Sequence, residues 1–381
     1  MNATNWLVVA ILAAASAAPL NAQGQRMDGR ATRVDSLFAQ WDRSSSPGCS
    51  VAISRNGTLT YERGYGMSNL EDGIAITPAT VLEVGSMSKQ FTAASILLLQ
   101  QRRQLSLDDD VRKYIPELPD YGTRITLRHL ITHTSGLRDV WDLLSMAGWR
   151  DFDLVTQDDA LGLVIRQKAL EFTPGERYGY SNTGFILLAI VVNRVSGQSF
   201  RAFTDSAIFG PLGMTHTHFR ENHTGLVPNR ALAYVGGKES WQTFMTTYDA
   251  YGADGLFTTA EDMLRWEQNF VDGRVGGPEL ARAMQTPNVV SNGDTTSYGV
   301  GLFIRHYRGV PVFSHDGASY GYVANAMRFP DQGVAVAVLC NARNIDAVDF
   351  PIESRTSTSA IFRLLPPRLH SPRPSRCQRN N

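Results

Sequence analysis

Cysteine is scarce in this chain: 381 residues contain three, Cys49, Cys340 and Cys377. They lack the short paired intervals of a metal site and are too few for a disulfide framework. Cys49 and Cys340 each fall in strand-like runs and read by default as buried free thiols. A bridge between them is the alternative, if those strands are neighbours in an oxidising compartment. Charge of one sign is not in excess either, with 36 Lys plus Arg against 36 Asp plus Glu. No long basic block interrupts the folded part, so electrostatics gives no reason to expect nucleic acid or an anionic surface as partner. Long apolar runs are absent beyond the N terminus, and no internal repeat is visible.

The one early run lies in MNATNWLVVAILAAASAAPLNAQ, where residues 6–18 are uncharged. That is the length of a signal-peptide core and short for a bilayer span. Leu20-Asn21-Ala22 offers a cleavage site after Ala22. The expectation is an export signal over residues 1–22, a periplasmic or secreted location, and no stable membrane insertion once the signal is removed.

With 43% apolar residues, the chain can bury a large core as two domains or one composite domain. RVDSLFAQWDR has helical spacing. GCSVAISRNGTLTYERGYG reads as two strands joined by Asn56-Gly57, a strong hairpin signal. From Ser86 to about residue 290 most segments look helical. Strands return in YGVGLFIRHY, VPVFSHDG, YVANAMRFP and GVAVAVLCNA. Strands at both ends with helices between predict one sheet assembled from distant parts, with a helical region inserted. The expected domain therefore spans 27–349, with its sheet part near 27–80 and 290–349 and its helical part near 81–289. Residues 350–381, rich in Pro, Arg and Ser, read as a poorly ordered tail.

EVGSMSKQFTAASILLLQQ, residues 83–101, places Ser86 and Lys89 three positions apart at the head of an apolar run. On a helix these positions share a face. A serine hydroxyl needs a base to take its proton, and lysine serves only if burial lowers its pKa. A capping serine beside a solvated lysine is the bland reading of the pair. Two later stretches favour chemistry. Tyr180-Ser181-Asn182 precedes an apolar helix and supplies a phenol for proton relay and an amide for a substrate carbonyl. VFSHDGASYG places His315-Asp316-Gly317 at a strand end, where Gly317 admits close backbone approach and the Ala318 N–H can act as an oxyanion donor beside that of Ser86.

These stretches, in this order, resemble the serine β-lactamase/penicillin-binding family. The likeness is to its class C branch and the related D-alanyl-D-alanine carboxypeptidases, D-aminopeptidases and esterases. TLRHLITHTSGL (126–137), FGPLGMTHTHF (209–219) and GADGLFTTAEDMLRW (252–266) extend the resemblance over about 30–345. It implies an α/β fold, a mainly antiparallel sheet flanked by helices beside a largely helical subdomain. It implies Ser86 as acyl-accepting nucleophile, Lys89 as its proton partner and Tyr180 as general base or acid. Asn182, His315, Gly317 and Ala318 would position substrate or hold the oxyanion, with no metal and no organic cofactor. His315 stands where lactamases and carboxypeptidases carry the lysine of Lys-Thr-Gly. Carboxylate recognition and efficient β-lactam hydrolysis are therefore not expected, and a small-molecule or peptide substrate hydrolysed through an acyl-enzyme is. A true β-lactamase or carboxypeptidase is the alternative within the class, and an inert scaffold of the same fold the alternative outside it.

GASYG, residues 317–321, matches a nucleophile elbow, but the strand-like YVANAMRFP follows where a helix is needed. His216, His218 and His223 cluster without a completing ligand. His133 is expected to order a loop, and Trp141, Trp149 and Tyr248 to line the cleft or pack helices.

Overall fold

The computed structural model describes residues 29–237, 240–307 and 309–345. The expected signal, the tail and Cys377 lie outside the described residues. Asn56 and Gly57 have positive φ, 50° and 76°, as a two-residue type I′ turn requires. They join β1 (Cys49–Arg55) to β2 (Thr58–Tyr65). Four late strands, β3 (Phe303–Tyr307), β4 (Val310–Ser319), β5 (Tyr322–Phe329) and β6 (Val334–Cys340), complete a six-stranded sheet in the order β3-β4-β5-β6-β1-β2. Every neighbouring pair is antiparallel. The early and late parts of the sheet are joined by the pairing of β1 with β6, the two strands most distant in sequence.

Strand β6, VAVAVLC, is buried along its whole length. Its period of two sends Ala335, Ala337 and Leu339 into the large core beneath the helices. Val336, Val338 and Cys340 enter a smaller core with Val34 and Phe38 of helix α1 (Gly29–Phe38). Cys49 and Cys340 are direct partners in the β1/β6 register, with Cα atoms 4.0 Å apart, and they form a disulfide. This corrects the expectation of free thiols. Adjacency between residues 291 positions apart depends on which strands pair, and chain spacing does not carry that information.

Helices α2 (Lys89–Gln101) and α3 (Asn182–Ser196) pack together at the centre of the helical region. All residues of α2 from Lys89 to Leu99 and of α3 from Thr183 to Val192 are buried, as expected for helices apolar on every side. Helix α4 (Ala260–Asp272) is amphipathic and packs on β6 and β1, burying Met263, Trp266 and Phe270, with Trp266 against Phe91 of α2. A short strand, Leu82–Glu83, pairs with Leu256–Thr258. That pairing brings the glycine-rich segment 252–255 beside the start of α2. Among the described residues no single helix is long and apolar enough to cross a membrane.

Candidate active site

Ser86 sits in a 3₁₀ turn, Gly85–Ser88, that runs directly into α2 at Lys89. Two glycines let the strand wall close on this turn. Gly85 has φ +51°, and a Cβ there would lie 2.7 Å from the Ala318 backbone nitrogen. A Cβ on Gly317 would stand 2.0 Å from the Val84 carbonyl oxygen and 2.9 Å from the Ser86 nitrogen. Pairing of β3 with β4 ends at Phe303 and Ser314, so beyond that point β4 turns an unpaired edge to the nucleophile turn. Ser319 and Tyr322 close the two-residue hairpin between β4 and β5, and Ala318 with Val323 is the next pair. Hydrogen-bonded and open pairs alternate in such a ladder, which points the Ala318 N–H away from β5 and toward the Ser86 turn. The predicted oxyanion pair is thus brought together.

Lys89 is fully buried. Its Nζ lies 2.8 Å from Ser86 Oγ, 2.7 Å from Asn182 Oδ1 and 2.9 Å from the Ala253 carbonyl oxygen. Burial lowers its pKa to about 8, against upward pulls from Asp254, Asp139 and Asp316. Of its three partners, the Asn182 and Ala253 oxygens only accept, whereas Ser86 can also donate. When the amine is neutral its two N–H bonds satisfy the acceptors, and the lone pair faces the serine hydroxyl.

Tyr180 lies with its ring 4.9 Å from Lys89 Nζ and stacks on His133 at 4.3 Å between centroids. It remains 37% exposed and so meets the cleft. Burial of the phenol raises its pKa well above the ordinary value, while hydrogen bonding from Ser86 opposes the rise. His133, fully buried, accepts the Ser181 N–H at 3.1 Å on Nδ1, which leaves the proton on Nε2. Its expected loop-ordering role therefore extends to bracing Tyr180.

Asn182 has both ends engaged. Its Oδ1 faces Lys89, while its backbone N–H and Nδ2 donate to Asp139 Oδ2 at 2.5 and 2.9 Å. Asp139 also caps the helix Val140–Met146 by accepting the Trp141 N–H. One Nδ2 hydrogen remains for a substrate carbonyl. His315 requires a correction, because its side chain is 1% exposed and so is covered rather than open to a substrate. Its Nδ1 faces the Asp316 carbonyl at 2.6 Å, and its Nε2 therefore accepts from the Tyr298 hydroxyl at 3.1 Å. Burial pushes its pKa down to about 4, so it is a neutral packing residue. Strand alternation turns it inward with Gly317, while Asp316 and Ala318 are exposed.

Three participants were missed from the sequence: Asp139, the Ala253 carbonyl and Asp254. Asp139 carried an N-cap signal before an apolar run, but nothing indicated its second partner. The segment GADG holds the other two, and its glycines were the available clue: a Cβ on Gly252 would fall 2.5 Å from the Ala189 Cβ. A cavity of about 590 Å³ opens beside Ala318 and Asp254, with Trp141, Trp149 and Tyr248 in its walls. Ser319 is buried, donates to Glu83 Oε1 at 2.9 Å and leads into β5; the elbow reading fails. His223 pairs with Asp249 at 3.0 Å, and no group of three potential metal ligands converges among the described residues.

A family model described as Beta-lactamase matches residues 34–351. The chain belongs to the beta-lactamase family. This member is 29% identical over 301 residues to a D-aminopeptidase of Gluconobacter oxydans, covering 78% of this chain and 56% of that protein. It is 28% identical over 309 residues to penicillin-binding protein 4* of Bacillus subtilis, covering 76% and 67%. It thus spans little more than half the length of the D-aminopeptidase it matches. The octameric penicillin-binding protein homologue from Pyrococcus abyssi superposes with a TM-score of 0.72 at 27% identity, covering 83% of this chain and 73% of that one. The expected fold of antiparallel sheet and flanking helices is the fold of this family.

Proposed function

We propose that this beta-lactamase family member is a serine hydrolase of the Ser-x-x-Lys type, acting through an acyl-enzyme on amide, ester or D-amino-acid peptide substrates. The observation that carries the reading is the buried Lys89 amine 2.8 Å from Ser86 Oγ, with a pKa of about 8. Neutral Lys89 accepts the Ser86 proton as Oγ bonds to the substrate carbonyl carbon. The carbonyl electron pair becomes an oxyanion facing the N–H groups of Ser86 and Ala318. As it collapses, the bond to the leaving group breaks and that group takes a proton. Tyr180 is a neutral phenol at rest, which suits it to donate this proton while Lys89 restores its own. Water then adds to the acyl carbon, gives a proton back through Tyr180, and releases the acid and free Ser86.

The names of the relatives, a D-aminopeptidase and a penicillin-binding protein, support amide and peptide substrates. Residues 1–22 support export to the periplasm or beyond, and the Cys49–Cys340 disulfide fits an oxidising compartment. A fluorophosphonate probe tests the chemistry. Wild type should be labelled and Ser86→Ala should not; an unlabelled, folded wild type would leave only the inert scaffold. A short-chain nitrophenyl ester should be hydrolysed faster than a chromogenic cephalosporin, since His315 provides no cation for a carboxylate.

A further inference from the structure

Glu83 stands three residues before the nucleophile and is fully buried, yet the proton transfers above do not use it. Its two oxygens serve different elements. Oε1 accepts from the Ser319 hydroxyl at 2.9 Å, and Oε2 accepts from the Thr246 hydroxyl. Ser319 has then used its one proton, so the Tyr248 hydroxyl, 2.9 Å away in the cavity wall, donates to Ser319 Oγ. Gly85 and Gly317 bring the nucleophile turn and β4 into contact. Among the described residues no main-chain hydrogen bond joins the turn Gly85–Ser88 to β4. The bond from Ser319 to Glu83 ties the nucleophile segment to the strand end instead. Burying a carboxylate is costly, and burial raises the Glu83 pKa to about 7 in spite of Arg220 nearby. An apolar side chain would fill the space without that cost, so packing alone does not call for an acid at this place.

We propose that Glu83 is a positioning residue for the oxyanion hole, its carboxylate fixing the separation between the Ser86 N–H and the Ala318 N–H. This rests on the acyl-transfer reading above. Both donors must sit within hydrogen-bond reach of one developing oxyanion, and donors already in place need no reorganisation as the charge appears. Glu83 precedes one donor by three residues, and its partner Ser319 adjoins the other, so slack in their bond opens the hole directly. Acylation and deacylation each pass through an oxyanion. The consequence therefore falls on kcat whichever step is slower, while binding of the ground state in the cavity is left alone.

The test uses a short-chain nitrophenyl ester. Ser319→Ala and Glu83→Leu should each lower kcat by about 10- to 100-fold with KM little changed, and the double variant should fall no further than the worse single one. Glu83→Gln keeps an acceptor for Ser319 and a donor for Thr246, and should stay within about threefold of wild type. Phenylboronic acid forms a tetrahedral adduct with Ser86 that places an oxygen between the same two N–H groups. Its affinity should fall in step with kcat/KM. Melting temperatures separate a loosened hole from a loosened fold, and if Glu83→Leu does not fold, Ser319→Ala and Glu83→Gln carry the test. Additive losses in the double variant would overturn the proposal, as would a fall that Glu83→Gln shares in full. A fall confined to KM would do the same, because it would reduce Glu83 to a support of the cavity wall through Tyr248. A wild type that neither hydrolyses the ester nor reacts with fluorophosphonate removes the acyl-transfer reading and this proposal together. A labelled wild type beside a fully active Ser319→Ala removes this proposal alone.

Discussion

The two walls of the cleft work by different means. The helical wall presents side chains: the Lys89 amine, the Asn182 amide fixed by Asp139, and the Tyr180 phenol braced by His133. The strand wall presents backbone. Along β4 the inward positions are His315, sealed under Tyr298, and Gly317, which has no side chain. What β4 supplies is the Ala318 N–H, brought close because Gly85 and Gly317 leave room for main chain against main chain. Proton transfer needs groups whose pKa can be tuned, and burial among dipoles tunes them. Charge stabilisation needs donors that do not move, and a strand edge locked in a sheet provides them.

The sharpest way to break this division is to remove the amine. Lys89→Met keeps an apolar side chain of similar length and should slow fluorophosphonate labelling by about 10²- to 10⁴-fold. In wild type, protonation of Lys89 below about pH 8 removes the lone pair that accepts the serine proton. The rate should rise with pH, level off above that value, and drop by about tenfold per unit below it. The variant should lack that limb. A retained limb near pH 8 would assign it to another group and take Lys89 out of the base role.

Gly317→Ala attacks the other wall. Its Cβ would sit 2.0 Å from the Val84 oxygen, so β4 must draw back and carry the Ala318 N–H with it. Loss of one such donor costs about 10²- to 10³-fold in kcat, and the melting temperature should fall as well. A melting temperature lowered without a rate effect would mean that Ala318 does not hold the oxyanion.

The same division explains what could be read from the sequence. The helical wall left motifs, because its chemistry needs particular side chains at helical spacing, and Ser86, Lys89, Tyr180 and Asn182 converge as expected. The strand wall was legible only through glycine, and His315 does not stand open to substrate as expected because its ring is buried with both nitrogens engaged. Sheet order, and with it the Cys49–Cys340 bridge, depended on contacts between chain ends. Asp139 and Asp254 were invisible for a related reason. Each lies far from Lys89 in sequence and reaches the site through packing, while locally one resembles a helix cap and the other a loop residue.

The smallest expected effect comes from His315 itself. His315→Gln keeps a donor for the Asp316 carbonyl and an acceptor for Tyr298, and since the side chain is buried with both ring nitrogens engaged, kcat/KM for neutral and anionic substrates should move together. A selective change for anionic substrates would restore a substrate-binding role to this position and make the strand wall chemically active. Stability offers an independent readout. The folded-state pKa is about 4, below the ordinary 6.5, so between these values the unfolded chain binds a proton that the native state refuses. Wild type therefore loses stability through this residue as pH falls from about 6.5 to 4, by roughly 2–3 kcal/mol. Glu83 and Glu267, raised to about 7, and Asp254, raised to about 6, act in the opposite sense over part of this range. They are common to both proteins and cancel in the difference. The variant should thus gain on wild type only on the acid side of neutrality, and denaturant titrations at pH 7.5 and 4.5 would reveal that gain even if activity scarcely changes.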